Sequence, residues 1–287
     1  MAQNTIAIVC DCDDTLAPDT TVQLLSKFGV DATEFFGAVV EPLVKEGWDP
    51  VLAYLHKMIE LAEPGGPLEG LNSKRIREIG PSLGFYPGVP ECFTLLKDEI
   101  ESSPRYRDVG IRVESYVISS GIGDLIRASV LAKHMHQIWA CDFAYREDGR
   151  LLAPKKVISF TDKTRYLFLI QKGRTASEYF NQPFVANEPM DESERPVPFR
   201  NMIYIGDSAG DIPCMSLVDR LGGTSIGILS KRNPAKTWAL AYGRRARITV
   251  PPEFEADGYA YQQLREALLS RAEQIRTESM AGQRRRN

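Results

Sequence analysis

Histidine is scarce in this chain, with three among 287 residues, and the five cysteines (Cys10, Cys12, Cys92, Cys141, Cys214) never fall at C-x-x-C spacing. A zinc site of the usual kind is therefore not signalled, and His134 and His136 lack further ligands at zinc spacing, so both read as ordinary structural residues. An odd number of scattered thiols fits reduced cysteines in a cytoplasm, without structural disulfides. No apolar run approaches the roughly 18 residues that a membrane-spanning helix needs, so no membrane partner is expected. Residues 1–5 lack a basic region ahead of an apolar stretch, so a secretion signal is not expected. Neither charge sign dominates: 35 basic and 38 acidic residues give a net charge of -3. Trp48, Trp139 and Trp238 do not interleave with basic residues, and a terminal Arg284-Arg285-Arg286 is a weak footprint. Nucleic acid is not an expected partner; a small molecule is.

What the chain does have is a set of short, uninterrupted apolar runs. Ile6-Ala7-Ile8-Val9-Cys10, Ser115-Tyr116-Val117-Ile118 and Met202-Ile203-Tyr204-Ile205, with a weaker Ser225-Ile226-Gly227-Ile228, read as strands buried on both faces of a parallel sheet. Helical patterns between them, including Gly123 to His134 and Lys163 to Gln171, predict a doubly wound, Rossmann-like α/β core. From Pro18 to Ser82 apolar residues recur at helical spacing without a strand-like run, which predicts a helical insertion. The expected division is a core of 1–17 and 83–287 and a helical cap of 18–82, with Phe85 to Pro90 marking the return. Lys172 to Asn201 reads as a long loop or small excursion, and the tail from Ala281 as a frayed end.

Polar residues cluster where ligands gather in such sheets, at the carboxyl ends of the strands. Asp11 and Asp13 follow the first run directly. Asp11 can attack a phosphoryl group to form an acyl phosphate, while Asp13 can protonate the leaving oxygen and later deprotonate water. So much negative charge would repel a phosphate ester without a cation, and oxygen donors suit magnesium. The plain alternative is an ordinary polar turn capping the next helix. Gly206-Asp207-Ser208-Ala209-Gly210-Asp211 supplies a second acidic pair, with Asp207 a candidate metal ligand and Asp211 a further ligand or a support behind it. Ser119-Ser120-Gly121 is expected to end its strand and open a helix whose N–H groups hold an anion. Lys163 can reach a phosphate, with Lys155 and Lys156 as alternatives.

In this order, Asp11-Cys12-Asp13-Asp14-Thr15-Leu16, Ser119, Lys163 and Gly206 to Asp211 resemble the four signature motifs of the haloacid dehalogenase superfamily of phosphohydrolases. The insertion resembles the helical cap of its phosphoserine-phosphatase-like members. The resemblance implies Asp11 as nucleophile and Asp13 as general acid/base, with magnesium on Asp11, Asp207 and the backbone carbonyl of Asp13. Ser119, Ser120 and adjacent N–H groups would hold phosphoryl oxygens, Lys163 would balance charge, and Thr15 and Asp211 would support. A small phosphorylated metabolite is the implied substrate. Cys12 stands where the family often has an aromatic or aliphatic residue, and Ser120 replaces a frequent glycine. Asp13 argues against a dehalogenase. A phosphomutase, a phosphonate hydrolase using Lys27, Lys45, Lys57 or Lys74 as an imine-forming amine, and a catalytically idle binding relative remain the competing expectations. Gln23, Lys27, Glu41, Lys45 and His56 are the cap's candidate substrate contacts.

Overall fold

A computed structural model of the protein describes residues 3–229 and 246–284. Seven strands form one sheet: β1 (Thr5–Cys10), β2 (Arg112–Ile122), β3 (Gln137–Tyr145), β4 (Leu151–Lys156), β5 (Met202–Gly206), β6 (Thr224–Ile228) and β7 (Ile248–Val250). Their order is β4-β3-β2-β1-β5-β6-β7, and every pairing is parallel except the β3–β4 hairpin. The chain leaves β1 first toward β2 and later returns to pair β5 on its other side, which makes the β1–β5 boundary the topological switch point.

β1 is central because alternate side chains serve opposite faces. Ala7 and Val9 join one apolar cluster while Ile6, Ile8 and Cys10 join the other. The second cluster is closed by α4 (Glu91–Glu101) and a 26-residue helix, α8 (Tyr259–Arg284), whose Leu264, Leu268 and Ala272 are buried. Ion pairs Arg105–Glu273 and Arg265–Glu99 tie α8 to that side. The first cluster is closed by α6 (Lys163–Gln171), α7 (Ile212–Arg220) and the helices that follow β1.

Those helices include α1 (Thr20–Ser26), α2 (Pro50–Leu61) and α3 (Ser73–Ile79), with a π-helical turn at Phe35–Val40 between short α-helical turns. No strand lies between Thr20 and Ser82; Asn72 makes a single bridge to Arg150. Asp19, Asp31, Asp49 and Asn72 each cap a helix start by accepting a backbone N–H, so the polar residues between apolar stretches act as boundaries.

Several expectations need correction. Ser119-Ser120-Gly121 does not open a helix: β2 continues through Ile122, with an irregularity in its pairing to β3 after Ile118, and α5 is only Gly123–Arg127. The helix expected from Gly123 to His134 breaks at Ser129, whose hydroxyl accepts the Leu131 N–H and starts a 3-10 turn. β3, β4 and β7 were not among the expected strands, although β3 holds the apolar run Ile138-Trp139-Ala140-Cys141. β4 is an edge strand containing Pro154, where a missing N–H is tolerated, and its exposed Leu152 hides the pattern. Residues 172–201 hold a short helix, Ala176–Asn181, then 3-10 turns fastened by the Lys172 ammonium on the carbonyls of Ala186 (2.6 Å) and Glu188 (2.5 Å). Residues 281–284 continue α8 instead of fraying, whereas Trp238, Arg285 and Arg286 lie outside the described residues. No described helix is long and apolar enough to cross a membrane.

Candidate active site

Asp11 follows β1, its N–H bonded to the Ile205 carbonyl of β5 at 2.9 Å, so the switch point itself holds the residue. The next turn is wound on Cys12, whose carbonyl accepts the N–H groups of Leu16 (2.8 Å) and Ala17 (3.1 Å). Asp14 completes that turn in the left-handed region (φ 57), a conformation aspartate tolerates better than most residues. The Cys12 side chain is fully buried in the α8 cluster, which leaves the flanking Asp11 and Asp13 to line one cavity. Asp13 accepts the Thr20 N–H at 2.6 Å, anchoring its carboxylate to the first turn of α1.

From β5, Asp207 lies beside Thr15, whose hydroxyl donates to it at 3.2 Å. Asp211 is buried outright and both its oxygens are engaged. One accepts from Lys163 and from the Tyr204 hydroxyl, each at 2.8 Å; the other accepts the N–H groups of Asp207 and Ser208 and the Ser208 hydroxyl. Gly206 makes this possible, because a Cβ there would come within 2.5 Å of the Asp211 carboxyl carbon. Lys163, in the first turn of α6, reaches Asp11 at 3.0 Å as well. Lys156 instead pairs with Asp142 at 2.7 Å, so Lys163 is the lysine delivered here.

Burial pushes the Asp11 carboxyl well above its ordinary range, Asp211 adds to this, and Lys163 opposes it without prevailing. For Lys163, burial alone favours the neutral amine, but Asp11 and Asp211 outweigh it and keep the ammonium. Burial likewise acts to raise Asp211, yet Lys163, Tyr204 and the Ser208 N–H hold it below its ordinary range. Asp211 and Lys163 are therefore a fixed ion pair, and Asp11 shares a cation it does not own. Oxygens of Asp11, Asp207 and Asp211 lie within 4.8 Å of one another. Three carboxylates against one ammonium, all buried, form a donor set that fits a hard divalent cation. With Asp211 committed to five donors, Asp11 and Asp207 are the pair able to hold it.

Ser119 is fully buried; its hydroxyl donates to Asp13 at 3.3 Å and accepts the Gly121 N–H at 2.8 Å. Ser120 and Gly121 border the cavity directly, and a Cβ on Gly121 would stand 2.5 Å from the Asp13 carboxylate. The Ser120 carbonyl accepts the Tyr54 hydroxyl at 2.6 Å, a link from α2 to β2 across the site. The cavity measures about 260 Å³ and is also lined by Phe36, Val40, Val51 and Phe160. Tyr54, Phe36, Phe160, Thr20 and Tyr204 escaped sequence reasoning. Each lacks a local signature, although the tyrosine three residues before Asp207 was visible.

Of the five cap residues expected to contact substrate, only Glu41 borders a neighbouring groove, and it pairs with Lys45 at 2.8 Å. Gln23 bonds to Pro18 and Gly84, His56 pairs with Glu60 and stacks on Trp48, and Lys27 is exposed. Among the described residues Lys163 is the one lysine lining the cavity, so Lys27, Lys45, Lys57 and Lys74 are not in position to form an imine there. His134 bonds to Thr94 and His136 packs on Tyr116, both away from the carboxylates.

No family model matches this chain. An uncharacterised protein of Borreliella burgdorferi is 27% identical over 241 residues, covering 76% of this chain and 80% of that one. Among solved structures, a haloacid dehalogenase family hydrolase from Salmonella enterica serovar Typhi superposes with a TM-score of 0.53 at 12% identity, over 89% of this chain and 68% of that one. A probable phosphoserine phosphatase from Vibrio cholerae gives 0.53 at 16% identity, over 95% and 67%. A substrate-bound phosphoserine phosphatase gives 0.50 at 14% identity, over 85% and 92%. The chain has the haloacid dehalogenase-like fold in its phosphoserine-phosphatase-like form.

Proposed function

We propose that this chain is a magnesium-dependent phosphatase that hydrolyses a small phosphorylated metabolite through an aspartyl-phosphate on Asp11. The observation that carries the reading is the convergence of Asp11, Asp207, Asp211 and Lys163, buried together at the switch point of a parallel sheet. Structural neighbours with this fold include a hydrolase and phosphoserine phosphatases, which supports the reaction class.

In the proposed reaction an Asp11 oxygen attacks phosphorus as the bond to the alcohol oxygen breaks, and Asp13 gives that oxygen its proton. Asp13 then takes a proton from the water that attacks the same phosphorus, releasing phosphate and restoring Asp11. Burial, the largest influence on Asp13, raises its carboxyl from the ordinary range, which suits a group that must arrive protonated. Lys163 keeps Asp11 from repelling the incoming phosphoryl oxygens, while Asp211, itself fixed by the Tyr204 hydroxyl, holds the ammonium in place. Ser119 and Ser120 are assigned to the phosphoryl oxygens; the long 3.3 Å contact of Ser119 to Asp13 is one that such an oxygen replaces. Magnesium held by Asp11, Asp207 and the carbonyl of Asp13 would supply the positive charge that the developing phosphoryl transition state requires. Residues 18–82 act as the cap that covers the cavity and keeps bulk water out.

Purified protein should release phosphate from para-nitrophenyl phosphate with magnesium, and Asp11→Asn should remove at least 1,000-fold of that rate. Absence of release from wild type at every pH would overturn the reading; activity surviving in Asp11→Asn would overturn the nucleophile.

A further inference from the structure

The reacting cavity does not end at its own walls. A second space of about 740 Å³ lies against it, and Asp14, Asp19, Phe36 and Val40 border both. Whatever is attached to a phosphoryl group at Asp11 has this groove as its continuation. The groove's outer walls come from α1 and the π-helical turn with its flanks: Val22, Ala32, Phe36, Val40 and Val44.

Its acidic residues are already employed. Asp19 caps α1 through the Val22 N–H at 3.0 Å, Glu41 is paired with Lys45, and Asp14 carries the left-handed turn after β1 and is not without a partner. Thr33 and these carboxylates form one part of the wall, and Val22, Ala32, Phe36, Gly37, Val40 and Val44 form a continuous apolar part. At its centre Gly37 has nothing within 4 Å of where a Cβ would stand, and its backbone is not in the left-handed region. Ordinary helix chemistry would favour alanine or leucine at such an exposed position, since glycine costs a helix about 1 kcal/mol relative to alanine. Here the missing side chain is what leaves the groove clear.

Resting on the phosphatase reading, we infer that the substrate is the phosphomonoester of an alcohol with an elongated apolar body, the body lying along Phe36, Gly37 and Val40. Each methylene buried in an apolar groove is worth up to about 0.8 kcal/mol, roughly fourfold in binding.

Methyl, butyl and hexyl phosphate, assayed with magnesium and full-length protein, separate the two readings. kcat/KM should rise at least tenfold from methyl to hexyl phosphate. Gly37→Leu, which fills the groove and raises helix propensity, should cost hexyl phosphate at least tenfold more than it costs methyl phosphate, with Gly37→Ala between. Turnover of all three esters without a gradient, or a Gly37→Leu loss equal for methyl and hexyl phosphate, overturns the apolar-alcohol inference and leaves the phosphatase standing. Failure to turn over any of the three, or para-nitrophenyl phosphate, overturns both.

Discussion

Two glycines leave room for the Asp13 and Asp211 carboxylates by what they lack, and they separate chemistry from stability. At Gly121 an added Cβ meets the end of the Asp13 side chain, which is held by two hydrogen bonds, from the Thr20 N–H and the Ser119 hydroxyl, against five on Asp211. Gly121→Ala should therefore fold normally, with Tm within about 3 °C of wild type. Its kcat should fall roughly 100-fold, as the general-acid role proposed for Asp13 requires. Steady-state kinetics beside calorimetry checks both halves. At Gly206 the added Cβ meets the root of the Asp211 carboxyl, which is pinned by Lys163, Tyr204 and two backbone N–H groups. Gly206→Ala should lose about 2 kcal/mol of stability in urea unfolding, in addition to activity, because a packed and fully bonded group must move. Equal stability loss in the two variants would contradict this ranking of the more and the less firmly held carboxylate.

The elements that bring these residues together were unequally visible. β1, β5 and α6 stand out in sequence because a strand buried on both faces leaves an unbroken apolar run, and Lys163 to Gln171 matched its helical pattern. β2 was recognised over Ser115 to Ile118, but its extension through Ser119, Ser120 and Gly121 was hidden: small polar residues look like a helix start, and these three lie in the irregularity of the β2–β3 pairing between Ile118 and Ile122. At α1 the local code was explicit, since Asp19 sits at the cap and its carboxylate accepts the Val22 N–H. Asp19→Ala should lower stability by about 1 kcal/mol and Asp19→Ser should restore most of it, measured by chemical denaturation. A failure of serine to restore stability would show that Asp19 acts chiefly through its place on the cavity wall.

For the molecule as a whole, the two apolar layers on either side of the sheet enclose every cysteine. All five are buried and unpaired. Burial pushes the Cys92, Cys141 and Cys214 thiols up to about 12, so each stays protonated at neutral pH and its thiolate appears only as pH rises toward that value. A thiol reagent at pH 8 should label none of the five in native protein and all five after unfolding; rapid native labelling would contradict the enclosure. The buried surplus of carboxylates makes a related prediction for metal. Magnesium at about 100 times its Kd should stabilise the fold by roughly 2.7 kcal/mol, and chelation should remove both that increment and the activity. Calorimetry with and without the metal tests this.

Local order was legible in the chain itself. An apolar run followed by Asp11 and Asp13, another followed by Asp207, and the serines and lysine between them mark strand ends where polar residues gather, because buried parallel strands leave a pattern that polar neighbours interrupt. Spatial assignment was not. Which lysine reaches Asp11, that Asp211 is occupied by Lys163 and Tyr204, that Ser119 lies beneath Ser120, and that Phe36 and Gly37 border the site depend on contacts between residues far apart in sequence. Such contacts arise only when the two faces of the sheet are packed, since periodicity records whether a side chain is buried and carries no information about which neighbour buries it.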